Sequence, residues 1–185
     1  MKSPKISLVG KSLDDLMNIC ETYDVEKFRA EQIFNWVYKN KANDFKSLNN
    51  VPKDFINTLE KEYIIHPLSI VRSKKSPSQS TNKFLFKTQS GSLIESVLMN
   101  EGERVTLCLS TQVGCALDCK FCATAKMGFI ENLDSGEIVD QYLLISKTIN
   151  RPITNVVFMG MGEPFLNYTN VIKAADLLHD PNGIN

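Results

Sequence analysis

Val105-Thr-Leu-Cys108-Leu-Ser-Thr-Gln-Val-Gly114-Cys115-Ala-Leu-Asp-Cys119-Lys-Phe-Cys122 carries an alternating apolar run straight into a loop with three cysteines spaced C-x3-C-x2-C. Val105, Leu107 and Leu109 predict a strand. Working backwards, Leu93 to Met99 reads as a second strand, and Phe84 and Phe86 alternate with polar neighbours as a third. The turns Gln89-Ser-Gly-Ser92 and Asn100-Glu-Gly-Glu103 separate them, so a β-meander should feed the cysteine loop. Working forwards, Ser135 to Asn150 places Ile138, Tyr142, Ile145 and Ile149 on one helical face. Asn155 to Met159 is a nearly continuous apolar run, the pattern of a strand buried on both faces. The Gly160 to Pro164 loop follows, then a helix over Asn170 to His179. Strand, loop, helix, strand, loop, helix is a βα repeat with a parallel sheet.

Upstream, residues 1 to about 66 read as helical. Asp14 to Tyr23 forms a short helix. Glu26 to Asn40 spaces Phe28, Ala30, Ile33, Phe34, Val37 and Tyr38 at helical intervals, with Trp36 beside that face. Pro52 suits a first helical turn ahead of Phe55, Leu59 and Tyr63. Lys27, Arg29, Lys39, Lys41 and Lys53 make the exposed faces basic; they are either ordinary solvated charges or a surface for RNA. Ser73 to Asn82, polar and broken by a proline, reads as a loop or linker. The expected organisation is a small helical accessory domain over 1–70, a linker and β-hairpin over 71–104, and the start of a (β/α) barrel over 105–185. Two βα units do not close a barrel and leave a strand edge unpaired. The fold class is therefore α/β with a barrel that reads as truncated: the chain is a fragment, or a partner supplies the rest.

The 185 residues are 43% hydrophobic and 23% charged, the composition of a globular protein. No apolar run approaches the ~20 residues that cross a bilayer. Met1 to Leu16 lacks a secretory pattern, so a cytoplasmic location with no membrane partner is expected. Formal net charge is zero, which gives no global sign of nucleic-acid binding. The segment from Pro67 to Asn100 is locally basic, with Arg72, Lys74, Lys75, Lys83 and Lys87 against Glu95. It either touches phosphate or is a solvated loop.

The five cysteines are Cys20, Cys108, Cys115, Cys119 and Cys122. An odd number without an export signal argues against a disulfide framework. Four of them fall within fifteen residues, which points to metal or redox chemistry. Three thiolates from Cys115, Cys119 and Cys122 can hold three irons of a [4Fe-4S] cube and leave the fourth open. That corner can chelate the amino and carboxylate groups of S-adenosylmethionine (SAM), whose sulfonium one electron then cleaves. The competing occupant is zinc, which takes four ligands in a structural site. Only one triplet is present here, His66 and His179 are remote in sequence, and Cys108 belongs to the preceding strand.

The run from Thr106 to Phe129 closely resembles the RlmN/Cfr family of radical SAM RNA methyltransferases. So do Asn155-Val-Val-Phe-Met-Gly160-Met-Gly162-Glu163-Pro164 and Phe28-Arg-Ala-Glu-Gln-Ile-Phe-Asn-Trp-Val-Tyr38, and the resemblance extends from about Leu13 to the end. Phe121, before the last cysteine, fits the radical SAM pattern too. The resemblance implies the start of a radical SAM partial barrel. It implies methylation of carbon 2 of an adenine in 23S rRNA and in certain tRNAs, or carbon 8 in Cfr, with an electron donor such as flavodoxin. One SAM would methylate a cysteine near the family's C-terminus; a second would yield the 5′-deoxyadenosyl radical that activates that methyl for addition to the base.

By the same resemblance, Cys115, Cys119 and Cys122 hold the cluster, and Gly162 and Glu163 bind SAM. Cys108 is the second, resolving cysteine, and Glu95 is the proton acceptor. Read without the family, Glu163 is a helix N-cap carboxylate and Cys108 a buried strand residue. Glu95 sits either partly buried, with a raised pKa suited to base work, or on the wet face of its strand. No cysteine follows Cys122, so the expectation is that this chain alone does not complete methyl transfer. An RNA-binding remnant without catalysis is the alternative from another class.

Overall fold

The computed structural model describes residues 5–184. Residues 1–4 and 185, included in the expected accessory and barrel segments, lie outside the described residues. The chain opens with β1 (Ile6–Ser7) and α1 (Leu13–Thr22), whose Ser12 and Asp15 form a reciprocal capping box. Next come α2 (Phe28–Phe34), which runs into a π-helical turn over Asn35–Lys39, and α3 (Lys53–Glu62). Leu16, Ile19 and Cys20 of α1, Ala30, Ile33 and Phe34 of α2, and Phe55 and Leu59 of α3 are buried. Of the positions that helical spacing marks out, Ala30, Ile33, Phe34, Val37, Tyr38, Phe55, Leu59 and Tyr63 are buried, whereas Phe28 is exposed. β2 (Tyr63–Ile64) then pairs in parallel with β1. The first 66 residues are thus not all helix: two strands of two residues each tie the ends of the helical unit, too short to carry a periodic signal. Pro52 also differs from expectation. It is the N-cap of α3, with ψ of 134°, and the helix starts one residue later. Of the basic residues, Lys27, Lys39 and Lys53 are exposed, whereas Arg29 and Lys41 are half-buried. Arg29 donates to Gln32 and to the Asn50 carbonyl.

The main sheet contains β3 (Ser69–Lys75), β4 (Thr81–Lys87), β5 (Leu93–Glu101), β6 (Arg104–Cys108) and, after the cysteine loop, a returning fifth strand. The loop itself is framed by β7 (Gln112–Gly114) and β8 (Phe129–Asn132), an antiparallel pair. Then follow α4 (Ser135–Ser146), β9 (Asn155–Val157) and α5 (Tyr168–His179). Strand order is β3-β4-β5-β6-β9, antiparallel except for the parallel β6–β9 pair. That pair, with α4 as its crossover, is the expected βα repeat.

Ser73 to Asn82 is not a linker. It is the end of β3, a tight turn and the start of β4, with Lys74 opposite Lys83. β3 is exposed along its whole length, so its sequence has no apolar alternation to betray it. β9 departs in the other direction. It is three residues long and only half-buried, because it is an edge strand covered by helices on one face.

Register divides the sheet into two faces. Phe84, Phe86, Ile94, Ser96, Leu98, Val105 and Leu107 point to the helices and are buried. Lys83, Leu85, Glu95, Val97, Met99, Thr106 and Cys108 occupy the other face, since side chains alternate along a strand. The buried residues of the helical unit and of the sheet belong to one continuous apolar core.

Two contacts lock the helical unit onto α4. Gly10 has φ of +93°, and a Cβ there would lie 2.5 Å from the Cα of Gly136. Tyr38 fixes that loop by accepting from the Gly10 amide at 2.9 Å and donating to the Lys11 carbonyl at 2.8 Å. Further along α4, fully buried Asp140 meets His66 Nδ1 at 2.5 Å and accepts from the Leu68 amide at 3.0 Å. His66 Nε2 contacts the Ala42 carbonyl, and Lys147 reaches both His66 and Asn43. Burial pushes the Asp140 carboxyl up, against the opposing pull of His66. No helix among the described residues is long and apolar enough to cross a membrane.

Gly10→Ala should cost on the order of 2–4 kcal/mol, from left-handed backbone strain plus overpacking, read as a lowered midpoint in thermal unfolding. A second expectation concerns Glu137 in the first turn of α4. Burial, then the Asp134 charge, pushes its carboxyl from the ordinary 4.5 up to about 7. The folded chain therefore holds this proton more tightly than the unfolded chain. The resulting stability is complete below about pH 4.5 and is lost as pH rises through about 7. Glu137→Gln should raise the melting midpoint at pH 8 relative to the parent and leave it near or below the parent at pH 5. A midpoint difference equal at both pH values would show that Glu137 does not titrate in this window.

Candidate active site

The cysteine loop leaves and re-enters the fold through one narrow base, and buried carboxamides hold that base together. Gln141 of α4 is fully buried. Its Oε1 accepts from the Ser96 hydroxyl at 2.6 Å and the Ser110 amide at 2.9 Å, while Nε2 donates to the Ser110 carbonyl at 2.9 Å. Asn167 Nδ2 donates to the carbonyls of Thr111 at 2.8 Å and Leu133 at 2.7 Å, bridging the outgoing and returning chains. Gln112 Nε2 donates to Asn132 Oδ1 at 2.8 Å across the β7–β8 pair, and its Oε1 accepts from the Glu163 amide at 2.8 Å. A buried backbone group left unpaired costs about 1–3 kcal/mol. These three side chains satisfy the backbone where the chain bends out of the main sheet. The hydroxyl of Thr111, buried beside them, has no hydrogen-bond partner among the described residues.

The turn from Gly160 to Pro164 packs onto the same base. The amides of Thr111 and Gln112 both donate to the Met161 carbonyl, at 2.8 and 3.1 Å, and the Met161 amide donates to the Ser110 hydroxyl at 2.8 Å. Gly162 has φ of +97°, and a Cβ there would fall 2.5 Å from Gln112 Cβ. Glycine is required both by the turn and by its approach to Gln112. The Glu163 carboxylate caps the 3-10 turn Pro164–Asn167, accepting from the Phe165 amide at 3.1 Å.

Cys115 is buried at the end of β7, and the Leu117 amide donates to its sulfur at 3.4 Å. Cys122 is half-buried, and the backbone N–H groups of Ala125 and Thr124 hold its thiol below the usual range. Cys119 is exposed. Among the described residues no three His, Cys, Asp or Glu side chains converge as a metal centre, so the loop carries the three thiols together in sequence without gathering them around a point. In donor type, and in the N–H groups aimed at two of the sulfurs, the loop fits an iron–sulfur cluster.

Glu95 and Cys108 share the face of the sheet turned away from the helices. Cys108 stands opposite Val97 in register, two residues along β5 from Glu95. Burial pushes the Cys108 thiol up, partly offset by the Met159 amide. Glu95 is 42% exposed and pairs with Lys83 at 2.8 Å. As a residue Glu95 is half-buried, on the sheet face turned away from the helices. Arg72, Lys74, Lys83, Leu85 and Glu95 line a hollow of about 270 Å³ on that face. Lys75, opposite Asn82, points the other way. Gln112, Gln141 and Asn167 escape a motif-based reading of the sequence. The legible signal was Ser110-Thr-Gln112 interrupting an apolar run, since buried polar groups need partners.

Residues 6–65 match the family described as the ribosomal RNA large subunit methyltransferase N-terminal domain. The chain is 44% identical to the dual-specificity RNA methyltransferase RlmN of Campylobacter fetus, covering 96% of this chain and 53% of the relative. It is 41% identical to the probable dual-specificity RNA methyltransferase RlmN of Fervidobacterium nodosum, over 97% of this chain and 51% of that protein. The crystal structure of a radical SAM methyltransferase from Sphaerobacter thermophilus superposes with a TM-score of 0.91 at 38% identity, over 96% of this chain and 53% of that one. The chain spans about half the length of these relatives. The chain is similar to these relatives in sequence, at 38–44% identity, and shares the fold of the Sphaerobacter structure; it is an RlmN-family N-terminal portion.

Proposed function

We propose that this chain supplies the cluster-binding loop, a SAM-binding turn and an RNA-facing sheet to methylation of adenine carbon 2 in 23S rRNA and tRNA. The observation that carries this reading is the bond from Gln112 to Glu163. It joins the base of the C-x3-C-x2-C loop to the Gly-Glu-Pro turn, so the two stretches matching the family's cluster and SAM motifs are one structural unit. The relatives named for this activity are about twice as long, and the reading of this chain is the share of the site that its own residues form.

In this reading Cys115, Cys119 and Cys122 hold a [4Fe-4S] cluster, and Gly162 and Glu163 receive SAM. When bound, the cluster and SAM supply one-electron cleavage of the sulfonium to a 5′-deoxyadenosyl radical, the electron coming from a donor such as flavodoxin. Glu163 lies in the turn that follows the parallel strand β9, where a carboxylate can accept from the SAM ammonium. Glu95 acts as the proton acceptor, with Lys83 holding its carboxylate in place at 2.8 Å. Cys108, on the same face, is the second, resolving cysteine of this reading. Arg72, Lys74 and Lys83 present positive charge for phosphates of an unstacked RNA segment. The expected setting is the cytoplasm, where thiols stay reduced.

Anaerobic reconstitution with iron and sulfide should give a charge-transfer band at about 400 nm. Alanine at Cys115, Cys119 or Cys122 should abolish it, and alanine at Cys20 or Cys108 should not. Tetrahedral zinc bound at the loop would refute the reading. For RNA, replacing Arg72, Lys74 and Lys83 by glutamine should weaken binding of a single-stranded, adenine-containing oligonucleotide. The slope of log affinity against log salt should flatten by roughly 2. Lys75→Gln, on the opposite face, is the control. Equal slopes for the parent and the triple variant would remove this face from the RNA interface.

A further inference from the structure

Gln112 sits at the one point where the outgoing root of the cysteine loop, the returning root and the Gly160–Pro164 turn all meet. It is 1% exposed. Its carboxamide is used on both sides: the NH2 donates to Asn132 on β8, and the oxygen accepts from the backbone amide of Glu163. Its own amide donates to the Met161 carbonyl, and its Cβ and Cγ lie against Gly162 so closely that no side chain fits there. The backbone of Met161, Gly162 and Glu163 is thus held at three consecutive residues by one side chain and its main chain. Glu163 is the N-cap of the 3-10 turn Pro164–Asn167; one of its carboxylate oxygens accepts from the Phe165 amide and its carbonyl from the Leu166 amide. Its amide is what ties this turn to the root of the cysteine loop, and the partner of that amide is Gln112.

We infer that Gln112 is a positioning residue for SAM. It fixes the Gly162–Glu163 backbone relative to the cysteine loop, so that a ligand bridging the cluster and this turn finds both ends already spaced. The inference rests on the proposed assignment of Gly162 and Glu163 to SAM. Gln112 itself touches neither reacting atom. An ordinary structural glutamine would contribute stability alone; a positioning glutamine ties ligand affinity to the order of one backbone amide. Preorganisation of this kind raises affinity by removing an ordering cost at binding.

The test uses the reconstituted chain, the Gln112→Ala variant and the Gln112→Glu variant. Glutamate keeps an acceptor for the Glu163 amide, and Asn132 can turn its own NH2 toward the carboxylate. Hydrogen exchange is read at the Glu163 amide before SAM is added. SAM affinity is read by equilibrium binding, iron content by colorimetric assay and stability by thermal unfolding. In Gln112→Ala the Glu163 amide should exchange at least ten-fold faster and the SAM dissociation constant should rise about ten-fold, the size expected for losing one buried hydrogen bond. Iron content should stay at the parent value. Gln112→Glu should recover the exchange protection and bring affinity back to within about three-fold of the parent.

Unchanged Glu163 exchange and unchanged SAM affinity in Gln112→Ala would overturn the inference. Loss of iron or of the folded state in step with SAM affinity, in both variants, would also overturn it, because the role would then be structural. If the parent itself binds iron but no SAM, the assignment of Gly162 and Glu163 falls and takes the positioning role with it. That outcome is distinct from a parent that binds SAM while Gln112→Ala binds it equally well.

Discussion

The fold turns on how the chain leaves a sheet without stranding its hydrogen bonds. At Ser110 the backbone departs from β6 to begin the cysteine loop, and it does so inside the protein, where each unsatisfied amide or carbonyl is expensive. Gln141 replaces the missing strand partner at Ser110, Asn167 serves the carbonyls of Thr111 and Leu133, and Gln112 serves Glu163. Because carboxamides both donate and accept, each closes two gaps at once. The exposed stretch 116–121 can therefore be open and polar while its ends stay fixed.

The helices and the meander were legible because their apolar spacing is decided locally. Leu16 and Ile19, Ile33 and Val37, Phe84 and Phe86 all face the core that their periodicity indicates. What stayed illegible depends on partners distant in sequence. β3 has no buried side chain and exists because β4 supplies hydrogen bonds to it. β1 and β2 exist only as each other's partner across more than fifty residues. For the site, the cysteine spacing and the Gly-Glu-Pro turn could be read directly. Of the carboxamides that join them, Gln112 left a local trace in the polar Ser110-Thr-Gln112 interruption of an apolar run, whereas nothing local distinguishes Gln141 or Asn167 from a surface carboxamide. Glu95 shows the converse. Its apolar neighbours left burial and a wet face both open; alternation places it on the opposite face from Ile94 and Ser96, half-buried and paired with Lys83.

That opposite face is where the chemistry of the two halves of the chain meets. Side chains from β3, β4, β5 and β6 place three cations, a carboxylate and a thiol on one pleated surface. The other surface of the same strands is committed to packing. A sheet can serve both ends only because its period of two keeps them apart. A slip of one residue in register would put Glu95 and Cys108 into the apolar core and Ile94 and Leu107 into water.

α4 has an unusual position. Ser135, Gly136, Ile138, Val139, Asp140, Gln141, Leu143 and Ile145 are all buried, so it lacks the polar back that most helices turn to solvent. Gly136 receives the Gly10 loop, Asp140 receives His66, and Gln141 receives the exit of β6. Three neighbours of different origin therefore read the same two turns of helix, leaving little room for independent drift. A change that suited one neighbour would be vetoed by another, and the N-terminal helices and the strands that frame the cysteine loop are bound to vary together as though a single hinge pin passed through both.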